Sequence, residues 1–517
     1  GTRIYFTRIL AAHQSALAQV SAGGGEVVTL QTGLPSSHPV VLDLASDGSE
    51  LLVAAEREAV GTTPRPVELW VVPSVGGTPR RVGDLRATSA VWSPDRSRIA
   101  FTDGDGLFVA ASDGSGARRV WSAPGYVLLA AWSPDGRLLS TTVSEPEGAR
   151  VWEVGGDGGG ARRAIPELDI PTCCGRWTPD GRGFLFEAVG EHGADVWFLP
   201  LWRGPFRGRG KPVRLTQGPM EFHQPVARRD GRGILAVGTQ AQGELVRYEA
   251  RSGQFAPYLG GISAQGVDFS RDGQSIAYVA FPSGTLWRAR ADGADRQQLT
   301  FGPATVALPR WSPDGRRIAF VEIQKGRPSR IQLLAVEGGE PRPVLADERN
   351  QTDASWSPDG RRLAIGLATA EHRDGRTIDV RLVSPEGGPP SLVPGSEGTF
   401  SPRWSPDGRY LAVLTHDSLQ LRLFDFASGR WRTLLDEKQL VTYPEWGRDG
   451  RHLFVSEGPL RVRLGLDGLR DVVASFDGIQ QAGEPLGEWT GLTPGDGVLA
   501  LRDVGVREIF ALDWERP

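Results

Sequence analysis

Trp311-Ser312-Pro313-Asp314-Gly315-Arg316-Arg317-Ile318-Ala319-Phe320-Val321 holds a chain reversal and the start of a strand in one short stretch. Pro313 presets the second turn position, Asp314 can bond nearby backbone, and Gly315 enters the left-handed conformation that the turn requires. The apolar run Ile318-Ala319-Phe320-Val321 then suits a strand buried on both faces. Further along come a second run, Arg330 to Val336, the turn Glu337-Gly338-Gly339, and Pro341 to Leu345. The prolines of that last run cannot donate to a ladder, so it reads as an edge strand. With an innermost strand ending at Trp311, the unit is a four-stranded meander.

The same punctuation returns along the whole chain. Trp-Ser-Pro-Asp-Gly stands at 132–136, 311–315, 356–360 and 404–408, and turn aspartates occur at 47, 95, 135, 180, 230, 272, 314, 359, 407, 449 and 496. A period near 45 residues is the length of one propeller blade. The fold class is therefore all-β, a β-propeller of about twelve four-stranded units. Because propellers hold about four to eight blades, two tandem six-bladed rings are expected, 1–262 and 263–517, with seven plus five or one large ring as alternatives. The chain opens on a second strand, Arg3 to Thr7, with no innermost strand before it. It closes with an innermost stretch near Trp489, then 498–501 and 508–512, which reads as a last blade lacking its outermost strand. The aromatic ending each innermost strand (Trp92, Trp132, Trp177, Phe269, Trp311, Trp356, Trp404, Trp446) is expected to wedge blade against blade.

Composition narrows the function classes. With 68 Gly and 38 Pro but 39% hydrophobic residues among 517, the chain is turn-rich and still able to form a core. No run of eighteen apolar residues exists, so no membrane span is expected within it. A net charge of -4 argues against direct nucleic-acid binding, although Arg203-Gly-Pro-Phe-Arg-Gly-Arg-Gly-Lys211 is a local basic loop that could meet an acidic partner. Gly1 reads as a cut site, since the single Met is Met220. Cys173 and Cys174 are adjacent and the only two; a pair of small residues on an innermost strand is the plain reading, a vicinal redox switch or soft-metal site the sharper one.

No catalytic constellation stands out. There is no Gly-x-Ser-x-Gly elbow, no phosphate loop ending in Lys-Ser/Thr, and no His spacing typical of zinc, so the chain reads as a non-enzyme without metal or cofactor. The aspartates of the turns, among them Asp135, Asp180, Asp314, Asp359, Asp407 and Asp449, stand singly rather than in a calcium ladder, which makes them structural. Residues just before the turns, on innermost strands, should converge on a channel. Those are His223, Asp268, Arg310, Asp353, Arg403 and Glu445, a ligand-binding set for a protein, a peptide or a small molecule.

Trp-Ser-Pro-Asp-Gly-Arg followed by an apolar strand, as at 311–321, 356–365 and 404–413, resembles the TolB-like family of WD-type propeller repeats over practically the whole chain. More narrowly, 1–7, 261–273 and 508–514 resemble the C-terminal propeller of bacterial winged-helix one-component transcriptional regulators. That resemblance implies a ligand-sensing or protein-interaction module, extracytoplasmic and tethered to an upstream signalling domain. A free-standing periplasmic TolB-like scaffold is the alternative, and a propeller-associated hydrolase a third.

Overall fold

The computed structural model describes residues 2–11, 14–36, 38–55, 66–190, 193–202, 208–228, 231, 233–324, 326–346, 349–368, 378–483 and 487–514. Among them there is no helix, and the strands form twelve antiparallel sheets. The turns explain why. In the 311–321 stretch, Asp314 Oδ1 accepts from Ser312 Oγ at 2.6 Å and Arg316 N at 3.1 Å, while Ser312 Oγ accepts from Arg317 N at 2.9 Å. Gly315 takes a φ of 68°, which lets the chain reverse within five residues and start the next strand in register. The same bonds recur around Asp135, Asp180, Asp359 and Asp407. At Asp449, Gly447 replaces the hydroxyl residue, and the carboxylate instead accepts from Arg451 N at 2.8 Å and pairs with His452 Nδ1 at 2.6 Å.

The twelve sheets fall into two propellers of six. One unit comprises Gly1–Gln240 and Val506–Pro517, the other Ala241–Gly505. In the second, the innermost strands Ala264–Phe269, Thr305–Trp311, Asn350–Trp356, Thr399–Trp404, Val441–Trp446 and Thr490–Leu492 each touch the next, and the last touches the first, closing the ring. In the first, the sheets begin at Arg3–Ala11, Val40–Leu44, Ser89–Trp92, Tyr126–Trp132, Thr172–Trp177 and Glu221–Ala227.

The strand pairing draws the boundary elsewhere than the expected 262/263 and corrects the reading of the last blade. Strand Val506–Asp513 does not follow Val498–Asp503 in one sheet. It returns to the first unit and pairs with Gly233–Gln240, from Gly233↔Asp513 to Gln240↔Val506. Strand Val498–Asp503 pairs instead with Gly243–Glu249, whose own neighbour is Gln254–Pro257. The blade that ends the repeats is thus complete with four strands, and the two three-stranded sheets both belong to the first unit. The second propeller is inserted between the second and third strands of the first propeller's final blade. Pairing of the chain's middle with its end closes the second ring by non-local hydrogen bonds.

Burial follows the stacking. Trp92 packs with Ala45, Leu52 and Leu69 of the preceding blade, and Trp356 with Ala319, Val321 and Leu333. Polar tethers accompany the wedges. Trp92 N donates to Asp43 Oδ2 at 2.9 Å, Trp311 N to Asp268 Oδ2 at 2.6 Å and Trp404 N to Ser355 Oγ at 2.9 Å. Trp356 and Trp446 donate their indole N–H to the carbonyls of Arg310 and Arg403, at 3.1 and 3.0 Å. Each such pair joins neighbouring blades, so an innermost side chain both stacks the ring and satisfies a buried amide.

Candidate functional site

Five of the six expected channel residues come together in the second propeller. Asp268, Arg310, Asp353, Arg403 and Glu445 sit on five successive innermost strands, so charge alternates in sign from blade to blade. A local irregularity aims them. In each of these strands the register shifts just before the charged residue or at it, between Gln265 and Asp268, Ala307 and Arg310, Gln351 and Ala354, Phe400 and Arg403, and Thr442 and Glu445. Gly266, Leu308, Ser401 and Tyr443, each two residues ahead of a charge, have φ between 48° and 59°. Such bulges re-aim side chains, and left-handed Leu and Tyr are strained conformations that the surrounding structure must hold.

The Asp353 carboxylate accepts from Ala354 N at 2.8 Å and Ser401 Oγ at 3.1 Å, and meets Arg403 Nη1 at 2.6 Å. Arg310 Nη1 donates to the Pro309 carbonyl at 3.1 Å, the one hydrogen bond of its guanidinium among the described residues. A sixth charge was not foreseen. Arg461, on the third strand Leu460–Gly465 of its blade, is fully buried. Its Nη1 donates to Tyr443 O, Ser456 Oγ and Thr490 Oγ1 at 2.9, 3.2 and 3.0 Å, and its Nη2 lies 3.6 Å from Glu445 Oε2. The alternating pattern Leu460-Arg461-Val462-Arg463-Leu464 places Arg461 and Arg463 on one face, yet only Arg463 stays exposed, with 43% of its side chain in solvent.

Three carboxylates and three guanidiniums therefore set the electrostatics. Burial pushes the Glu445 carboxyl up to about 7, against the pull of Arg461 and Arg310. A third of that side chain remains open to the channel, but the enclosing protein outweighs this access. Burial raises Asp268 as well and lowers Arg403, while Arg461 falls to about 10. At Arg310 burial opposes the charge, and the carboxylates of Asp353, Asp268 and Glu445 outweigh it and raise the value. The Tyr443 hydroxyl is raised by burial and by Asp353. Such an arrangement can hold an ionic ligand. Its carboxylates are largely committed to guanidiniums and amides.

His223 lies in the first propeller, on Glu221–Ala227, apart from the other five. Its Nδ1 pairs with Glu187 Oε1 at 3.1 Å and its Nε2 with Thr239 Oγ1 at 3.1 Å; the Glu187 hydrogen bond raises its pKa against burial. Cys173 and Cys174, beside Glu187, are joined as a vicinal disulfide, which the plain reading of two small residues did not include. Cys174 has a φ of 60° at a bulge, a backbone that brings neighbouring sulfurs to one side. Of the basic loop, 203–207 lie outside the described residues; Arg209 is tied to Glu153 and to the Ala164 carbonyl.

No protein-family model matches the chain. It is 35% identical over 143 residues to the Tol-Pal system protein TolB of Anaeromyxobacter dehalogenans, covering 25% of this chain and 32% of that protein. A protein TolB homolog of Chlorobium luteolum is 29% identical over 165 residues, 31% of this chain and 36% of that one. Over those stretches the repeats are similar to TolB. The chain is also similar to the uncharacterized peptidase YuxL of Bacillus subtilis, 26% identical over 147 residues, or 28% of this chain and 21% of the peptidase. The chain thus spans between about a fifth and about a third of the length of these relatives. Among the described residues no helix is long and apolar enough to cross a membrane.

Proposed function

We propose that this chain is a non-enzymatic binding module, the sensing or protein-interaction part of a signalling or transcriptional regulator, working outside the cytoplasm and needing no cofactor. The observation that carries the reading is the ring of alternating charge formed by Asp268, Arg310, Asp353, Arg403 and Glu445. Arg310 keeps most of its donors free of protein hydrogen bonds and is only half-buried, so its planar fork is available to a ligand carboxylate. The carboxyl groups of Asp268 and Glu445 interact with the same guanidinium, and an ammonium ligand beside them would favour their charged forms. A peptide segment or a small zwitterion fits that chemistry.

The similarity to TolB supports a second reading, a periplasmic scaffold whose protein partner inserts a charged segment at the same ring. The peptidase similarity covers too little of that relative to favour hydrolysis, and ring carboxylates bound to guanidiniums favour binding. Selecting displayed peptides on the purified chain and measuring the winners by calorimetry tests the proposal. Arg310→Ala and Asp268→Asn are expected to weaken binding about tenfold or more, as loss of a desolvated charge contact does. Arg290→Ala, at an exposed pair with Asp292, should leave it unchanged. Peptides that bind all these variants equally would overturn the proposal.

A further inference from the structure

Sulfur, carboxylate and imidazole gather in the first propeller, on strands other than those of the charged ring. Cys173 and Cys174 on Thr172–Trp177 and Glu187 on Gly183–Gly190 place their ligand atoms within 4.8 Å of one another. In a regular strand, adjacent side chains face opposite ways. Here the register shifts between Cys173 and Arg176 and Cys174 is left-handed, so both sulfurs share one side, and Glu187 stands directly across the ladder from Cys173. Thr142 Oγ1 accepts from Cys174 N at 3.1 Å and fixes the irregular backbone.

Glu187 is the second element. Its side chain is 8% exposed, and among the described residues neither Arg nor Lys forms an ion pair with it. Its two oxygens are held by His223 Nδ1 at 3.1 Å and Gln224 N at 3.3 Å, and Gln224 is itself left-handed, at φ 51°. His223 is in turn held by Thr239 Oγ1. A buried carboxylate oriented from behind by an imidazole and facing two sulfurs has the layout of a metal ligand with its supporting partner.

We infer that Cys173, Cys174 and Glu187 form a redox-gated site for one thiophilic divalent cation, such as zinc or cadmium, with His223 positioning the carboxylate. In the disulfide the sulfurs carry no thiolate and the site is closed. A dithiol reductant opens it by thiol–disulfide exchange: the sulfur–sulfur bond takes two electrons, the reductant becomes a disulfide, and two thiols result. Metal binding then displaces the two thiol protons to solvent, leaving two thiolates, one carboxylate and an open fourth position. Both cysteines are partly exposed, which gives reductant and cation access.

The test is titration of the full chain with Co2+, reduced and oxidised, reading the near-ultraviolet thiolate-to-cobalt charge-transfer band. The reduced protein is expected to take one equivalent with that band, and the oxidised protein to show none, a comparison needing no substitution. The double variant Cys173→Ser and Cys174→Ser should lose the band, and Glu187→Gln should bind about tenfold or more weakly. A reduced wild type without the band, an equal band in the oxidised protein, or unaltered affinity in Glu187→Gln would each overturn the site as assigned.

Discussion

The Asp353 carboxylate meets the Arg403 guanidinium at 2.6 Å across the boundary between two blades, with only 4% and 7% of the side chains exposed. A buried pair of this kind gains its Coulomb energy in a low dielectric but has already lost the hydration of both ions, so its net contribution is small while each half alone is costly. Removing one partner by Arg403→Met leaves a buried carboxylate hydrogen-bonded to Ser401 and a backbone amide, with Arg310 as its remaining charge partner. The expected loss is about 3–5 kcal/mol, seen as a lower transition temperature for the second propeller in calorimetry. The double variant Asp353→Leu with Arg403→Met should recover most of it. Equal losses in single and double variants would show that packing, not charge pairing, dominates there.

Glu445 should make the second propeller less stable as pH rises. Its folded value of about 7 lies above the ordinary 4.5, so between those values the folded chain holds a proton that the unfolded chain has released. Stability contributed by the protonated form is fully present below 4.5 and is lost as pH climbs through 7. Glu445→Gln, which keeps the neutral form at every pH, should flatten that part of the profile. Denaturant midpoints measured between pH 5 and pH 8 check this; parallel profiles for both proteins would refute it.

The turn aspartates act in the opposite direction. Hydrogen bonds from Ser312, Ser357 and Ser405 hold Asp314, Asp359 and Asp407 below the usual carboxylate value of 3.8. At Asp95 the Ser93 hydroxyl brings it to about 2. These depressed values contribute stability above pH 3.8 that is lost as pH falls toward 2. Replacing Asp314, Asp359 and Asp407 together by Asn keeps an acceptor oxygen and removes the titration. The triple variant is therefore expected to lose less stability between pH 4 and pH 2 than the wild type, by circular dichroism.

What the sequence made legible was local. A turn such as 312–315 is settled by side chains within five residues, and in the second propeller each ring charge stands one to three residues before the Phe or Trp that closes its innermost strand. Hence five ring charges could be placed, and twelve units counted, from spacing alone. Arg461 was not legible because its partners, Tyr443, Ser456 and Thr490, come from other strands, one of them in the next blade. The vicinal disulfide depends on one left-handed residue, Cys174, and the glycine beside it, Gly175, does not itself take that conformation. His223 obeys the same strand pattern as the ring residues, yet belongs to the other unit, because pattern records position within a blade and not which ring the blade joins.

The return of Val506–Asp513 to the first unit is the least local feature and yields the sharpest test of the division into rings. That strand covers Gly233–Gln240 along eight pairs, and Trp514 behind it packs with Leu185, Phe198 and Ile234. A chain ending at Gly505 would keep every strand of the second propeller but expose the ladder edge of the first propeller's last blade. Because the two units have separate cores, the truncation should lower the thermal transition of the first and leave that of the second unchanged. Differential scanning calorimetry can assign the two through the Arg403→Met variant, which shifts only the second transition. If truncation at 505 lowered the second transition instead, the C-terminal strand would belong with the second ring, in the continuous arrangement that the repeat spacing alone suggests.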